Sequence, residues 1–319
     1  RMGFWDLGDV TNRVRNCIPC HVGDETREVG HDLIAAGHPR LTFEFAAYQR
    51  LWPRHWSPEK RLESSADFAE RSWAIGQAET IAAVAGLLAT RARRAAGERQ
   101  AGDDAASAGR QPWPEFAEFD CYACHRALSP DRVGIGLSGN YRNPVPGTPS
   151  WQPWTASAGR LLSAGVDPPI TGDFTRSTDA LVATLRPQWA ATGSARLEAI
   201  ISRADELHGA ARRASQEIDG RPRVVLDGSS GLLDELIAGD PSEWRFWDAA
   251  VQSVLLIEAS REGGPARRGQ WPLPYRVPTV SETRRGLDEL RRSLQFPVDA
   301  GGPEAFDPQV FQDNLRRLP

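Results

Sequence analysis

The chain has four cysteines, and all of them fall in two copies of one pentapeptide pattern: Cys17-Ile18-Pro19-Cys20-His21 and Cys121-Tyr122-Ala123-Cys124-His125. This constrains the fold more than any hydropathy pattern, because no thiol is left over for a disulfide and each pair carries an adjacent imidazole. Cys-x-x-Cys-His is the attachment pattern of c-type haem. Two thiols at that spacing reach the two vinyl groups of one porphyrin and form thioethers. The residue that follows then lies beneath the iron as an axial ligand, and His21 and His125 hold that position. The expectation is two haem c groups, bound covalently through Cys17 and Cys20 and through Cys121 and Cys124.

Two other uses of the thiols compete with this reading. Zinc accepts four thiolates in a tetrahedron, but about a hundred residues separate Cys20 from Cys121, far more than compact zinc ribbons allow. A zinc site would also leave both adjacent histidines as coincidence. A thioredoxin-like dithiol needs a βαβ setting, and neither pair has one.

A six-coordinate haem iron needs a second axial ligand. Methionine raises the potential, yet Met2 is the only methionine and belongs to no motif. Neutral imidazole is the alternative, and four histidines remain: His31, His38, His55 and His208. His38 ranks first, because Gly37 lets the backbone approach a flat ring and Pro39 sets the chain direction as a helix begins. His31 ranks second, two helical turns earlier if the segment is helical throughout. His55, in "PRHW", ranks third. His208 lies in the polar stretch "RADELHGAARRA" and reads as a solvated surface residue. Trp5, Trp52, Trp56, Trp73 and Trp113 could pack on porphyrin faces. Arg13, Arg15, Arg40, Arg54 and Arg126 could pair with propionates, although most tryptophans and arginines simply anchor a core or a surface.

The 319 residues allow one large domain or two ordinary ones. A formal charge of -4, with both signs spread along the chain, gives no footprint for nucleic acid and no polybasic membrane anchor. Lys60 is the only lysine among 38 basic residues, which reflects base composition and not a binding face. Arg1 to Val10 lacks the apolar stretch of a secretory leader. The longest apolar run, Ile81 to Ala89, falls far short of the roughly twenty residues that span a bilayer.

Helical periodicity dominates. Ser64 or Ser65 can cap a long helix carrying Phe68, Trp73, Ile75, Ile81, Val84 and Leu88 and fading near Gly97. A second helix follows Pro39, with Phe43, Tyr48 and Leu51 near its buried side, and Pro53 stops it. The residues after Gly97 form a polar loop. Helices are expected over Ser177–Leu185, Ser194–Ile218, Pro241–Ser260 and Ser281–Leu294, with a short one in "PEAFDPQVFQDNL". The best strand signal is "PRVVLD" near Val224. The class is mainly α with long irregular loops. Its expected parts are a diheme domain over 1–128, a Pro/Gly/Trp-rich connector over 129–158, and a helical C-terminal region over 159–319.

The stretches "CIPCHVG", "GHDLIAAGHPRLTFEF", "YQRLWPRHW" and "WPEFAEFDCYACH" resemble multihaem c-type cytochromes of the cytochrome c-554-like group, over roughly Arg1 to Leu128. The resemblance implies closely packed bis-histidine haems, electron transfer, and a location outside the cytoplasm. It carries to Cys17, Cys20, His21, Cys121, Cys124 and His125, and then to His31 and His38. Members of this group commonly have further haem motifs upstream. This chain is then a reduced diheme form, or it lacks an N-terminal part.

Electron transfer by single electrons between redox partner proteins is the leading functional expectation, with the protein supplying ligands, burial and orientation. The alternative is a redox enzyme with one open-site haem acting on a small nitrogen, sulfur or peroxide species, with His55, Tyr48 and Glu44 as acid–base candidates. A third reading makes the C-terminal half a docking module in a larger multihaem complex or oligomer, through the connector and Trp244, Phe246 and Trp247. A second packed domain is the simpler account of that half. Covalent haem attachment takes place on the oxidising side of a membrane, so the expected compartment is periplasmic or otherwise extracytoplasmic.

Overall fold

The computed structural model describes residues 6–51, 65–97, 113–121, 150–170, 173–185, 193–226, 231–239, 244, 247–262, 282–295 and 306–318. Within them the helices are α1 (Val10–His21), α2 (His31–Ala35), α3 (Phe45–Leu51), α4 (Phe68–Ala96), α5 (Pro153–Gly165), α6 (Asp173–Leu185), α7 (Ser194–Asp219), α8 (Leu232–Ala238), α9 (Trp247–Glu262), α10 (Glu282–Ser293) and α11 (Pro308–Arg316). Two short strands, β1 (Val166–Asp167) and β2 (Val225–Leu226), pair antiparallel with Val166 opposite Leu226. Helix accounts for 72% of the described residues, so the chain is mainly α as expected.

Helix α4 organises the rest. Its 29 residues are rich in Ala, Leu, Glu and Arg, which lose little side-chain freedom in a helix. It ends where Gly97 takes φ 86° and donates its amide back to the last turn, the left-handed cap that glycine accepts without strain. From Ser72 to Ala82 every residue is buried, on all sides of the helix. The apolar stripe read from the sequence is therefore only part of the contact surface, and α4 is a central rod. Helix α7 lies along it, and α1, α3, α5 and α9 also pack against it. At Gly76 a Cβ would stand 2.8 Å from the Cβ of Phe45, so α3 can approach this closely only because no side chain intervenes.

One apolar cluster joins Val14 of α1, Phe45 of α3 and Trp73 of α4 to Leu162 of α5, Leu181 of α6, Leu207 of α7 and Leu256 of α9. Residues on both sides of the expected connector thus bury their faces against one another. A second cluster is built by α9, α10 and α11 around Trp244, Leu290 and Phe311, with the Trp244 and Phe311 rings edge-on at 4.9 Å. Helix α9 belongs to both clusters and is their common wall.

Several expected boundaries shift. Neither serine caps α4: Asp67 is its N-cap residue, Ser65 contributes a hydroxyl bond to the Asp67 carboxylate, and Ser64 lies outside the described residues. The helix expected at Pro39 starts only at Phe45. Of the connector, 129–149 lies outside the described residues, and its end is already helical because Pro153 opens α5 from the first position. Helix α9 begins at Trp247, with Ala250, Val254 and Ile257 buried, while Val251 and Leu255 are half-buried.

Glu70, on the first turn of α4, is 5% exposed, and its Oε2 has no hydrogen-bond partner. Burial, with Asp67 adding to it, pushes its carboxyl up to about 7, against the pull of Arg223 and the Leu226 amide. The folded value exceeds the ordinary 4.5, so the fold favours the protonated form. That contribution is complete below about 4.5 and is lost as pH rises through about 7. Glu70→Gln should therefore raise Tm at pH 8 by roughly 2–4 °C and leave it nearly unchanged at pH 4, read by thermal unfolding across pH.

Candidate functional site

The first motif closes helix α1, which the sequence did not mark as a helix. Asp9 caps it, its carboxylate accepting from the Asn12 amide at 2.7 Å, and Pro19 sits inside it. The helix stops after His21, where the amides of Val22 and Gly23 both donate to the Ile18 carbonyl. Gly23 has φ 119°, and a Cβ there would lie 2.9 Å from the Arg27 carbonyl oxygen, so this tight turn requires glycine.

Residues four apart share a helix face, and this orients the thiols. Val10, Val14 and Ile18 point into the core. On one flank Arg13 donates to Gln49 of α3 at 2.8 Å, and Cys17 lies one turn further along that flank. On the other flank Arg15 pairs with Glu79 at 2.9 Å, on the side of α7. Cys17 is half-buried and Cys20 exposed, and neither forms a disulfide. The His21 ring stacks on Phe43 with centroids 5.0 Å apart and meets the edge of Tyr48 at 4.8 Å. Cys17 and the His21 imidazole therefore lie toward α3.

Of the second motif only Cys121 is described; Cys124 and His125 lie outside the described residues, as does His55. The segment before Cys121 is held by a short 3-10 turn, Phe116–Glu118, and by the bridge of Phe119 to Trp151. The loop after the first motif folds onto this segment. The His31 amide donates to Glu115 at 2.7 Å, the His31 ring meets Phe116 at 5.6 Å, and the charge of Arg40 acts on the Cys121 thiol. Burial pushes the thiols of both Cys17 and Cys121 up.

His31 and His38 do not share a helix. Helix α2 ends at Ala35, and Gly37 at φ 109° turns the chain. Gly37 has open space around its Cβ position, and its φ of 109° is what the turn requires. Pro39 does not open a helix, but its carbonyl oxygen lies 2.8 Å from His38 Nδ1. A carbonyl only accepts, so Nδ1 carries the hydrogen and Nε2 keeps its lone pair, the tautomer an iron-ligating histidine needs. His208 is exposed, as expected, with Nδ1 held by the Ala82 carbonyl at 2.8 Å, but it stands on the α7 side of α4, away from Cys17.

A cavity of about 50 Å³ lies between the two motif segments, lined by Val22, Phe43, Arg40, Arg91, Ala117 and Glu118 among others. It has room for one or two waters and not for a tetrapyrrole. The open surface lies outside it. Among the described residues, the exposed large apolar side chains include Leu33, Tyr48 and Phe116, beside the two motif segments. Exposed apolar side chains beside the cysteines and the stacked His21 imidazole would suit a covalently attached haem, which Cys17, Cys20 and His21 would hold at the first site.

Other expected roles change. Arg13 and Arg15 are bound to this chain's own Gln49 and Glu79, and Arg40 to Asp248 at 3.3 Å, so propionates would have to compete for them. Arg54, Arg126, Trp5, Trp52 and Trp56 lie outside the described residues, and Trp73 is fully buried in the core. Glu44, expected as an acid–base candidate, accepts amides of α3 from Ala46 and Ala47 with its two oxygens, and burial pushes its carboxyl up. The parts that sequence reasoning missed are Glu115, which fixes His31, and Asp248, which has no local signal near either motif. Among the described residues, no three His, Cys, Asp or Glu side chains converge into a metal-holding group. Haem makes no such demand, because two axial imidazoles complete its iron.

Phe43→Ala should cost about 3–5 kcal/mol, as expected for a buried aromatic ring. Tyr48→Ala, at an exposed position, should stay within about 0.5 kcal/mol. Urea denaturation of the two variants checks whether His21 is held from the core side. Comparison with protein-family models, with curated proteins and with solved structures found no match.

Proposed function

We propose that this chain is a diheme c-type cytochrome of the cytochrome c-554-like kind its sequence resembles, passing single electrons between redox partner proteins in the periplasm or another extracytoplasmic compartment. The observation that carries the reading is the use of every cysteine in two Cys-x-x-Cys-His pentapeptides. Free cysteines are uncommon in an oxidising compartment, and here each has a use. Cys17, Cys20, Cys121 and Cys124 form the thioethers, and His21 and His125 are the proximal ligands. His38 is the first candidate for a distal ligand, followed by His31 and His55. When bound, each haem supplies a one-electron iron couple, with a potential below that of a His/Met site if both axial ligands are imidazoles.

This chain's own residues do three things in that scheme. Phe43 and the core behind it fix the plane of His21, and Pro39 fixes the tautomer of His38. Glu115 anchors the loop carrying both His31 and His38 beside the second motif. An open-site enzyme would need a proton donor over the iron, and Glu44 is already committed to capping α3.

Expression in a host that matures c-type cytochromes, followed by a pyridine haemochrome count and a visible spectrum, tests the reading. Two haems per chain with low-spin spectra are expected, and a colourless protein contradicts it. His38→Ala should keep both haems but turn one high-spin, with cyanide binding at least tenfold faster than in the unsubstituted protein.

A further inference from the structure

Three rings close on one another at the end of the first motif. The His21 imidazole lies nearly parallel to Phe43, at 20° with centroids 5.0 Å apart. Tyr48 stands across both, 4.8 Å from His21 at 68° and 5.0 Å from Phe43 at 59°. A third ring almost equally far from both members of a stack has to sit beside that stack. The mounts of the two aromatic rings are firm. Phe43 is 3% exposed, and its carbonyl oxygen accepts from Trp154 Nε1 at 3.1 Å. Tyr48 rides on the first turn of α3, where its amide donates to the Glu44 carbonyl at 3.1 Å. The Glu44 carboxylate holds that turn through the amides of Ala46 and Ala47. Tyr48 itself is 37% exposed, so its ring is not needed to fill the core.

Stacking on Phe43 resists rotation of the imidazole about its bond to the chain, because its edge would be driven into the Phe43 face. Stacking alone still permits the ring to slide across that face, and an edge-on neighbour beside the stack opposes the slide. The geometry points to Tyr48 as a positioning residue: it closes the side of the His21–Phe43 stack and so fixes the orientation in which His21 meets the haem iron at the first site. This rests on the haem reading of the first motif. Tyr48 acts through His21 and has no direct part in the chemistry. Groups behind an axial histidine orient its ring, and the angle of the imidazole plane over the porphyrin shapes the low-spin ferric EPR signal. Aromatic pairs of this geometry favour one arrangement roughly two- to tenfold over a non-aromatic contact.

The test is EPR of the ferric full-length holoprotein and of Tyr48→Ala, after haem has been counted and the urea midpoint measured in each. The expected result is an unchanged haem count, a urea midpoint close to that of the unsubstituted protein, and one altered low-spin signal. That signal should broaden or split as a second orientation of His21 rises roughly two- to tenfold in population. The signal of the other haem should stay in place. Tyr48→Phe, which keeps the ring, should restore the original spectrum. Tyr48→Leu, which keeps apolar bulk without a ring, should behave as Tyr48→Ala does, and it gives the reading alone if the alanine variant does not accumulate. A spectrum that does not change, two signals that change alike, or a Tyr48→Phe spectrum like that of the alanine variant overturns the proposal and leaves the diheme reading intact. A preparation without haem overturns the diheme reading and this inference with it.

Discussion

Helix α4 is buried on every side over most of its length, yet it carries the charges of Glu79 and Arg91, each 5% exposed or less. A buried charge persists only when paired, and removing one partner of such a pair typically costs about 3–5 kcal/mol. The partners come from the two motif segments. Glu79 binds Arg15, two residues before Cys17, and also Arg212 of α7. Arg91 binds Glu28, in the loop after His21, at 2.7 Å, and also Glu118, three residues before Cys121. Glu118 in turn accepts from the Trp151 indole at 3.0 Å. Each motif is thus tied, within a few residues, to one rigid helix. The two anchor points stand about 18 Å apart along it, at ~1.5 Å per residue.

Under the diheme proposal, a pair of redox centres would have to keep its separation while partners come and go, and a shared rod pinned by buried ion pairs would do this better than two domains joined by a connector. The small cavity between the segments has no room for a tetrapyrrole. Cys17, Cys20, the stacked imidazole of His21 and the exposed rings of Tyr48 and Phe116 lie outside that cavity, beside the two motif segments. The loop after the first motif leans on the approach to the second through Glu115. His31, in that loop, therefore packs against the approach to the second motif.

Much of this was legible in the residues. The end of α4 at Gly97 could be read because glycine at a left-handed cap is a local signal, and the pairing of β2 was foreshadowed by the β-branched residues around Val224. Helix α1 was hidden by Pro19 and by the motif itself, which drew attention to chemistry and away from the capping residue Asp9. The late start of α3 was missed because Pro39 suits a helix start, whereas Glu44 supplies the actual cap. The contacts of Arg40 with Asp248 and of Arg15 with Glu79 were illegible for another reason. They join residues far apart in sequence, and no local pattern announces which of the many arginines will find which carboxylate.

Intact-mass spectrometry of the mature protein, together with variants in which Cys17 and Cys20, or Cys121 and Cys124, are replaced by alanine, tests the central claim most directly. The account requires the mass of two tetrapyrroles on the native chain and of one on each double variant. A native chain at its bare 35.0 kDa, or a mass unchanged by loss of either cysteine pair, would contradict it.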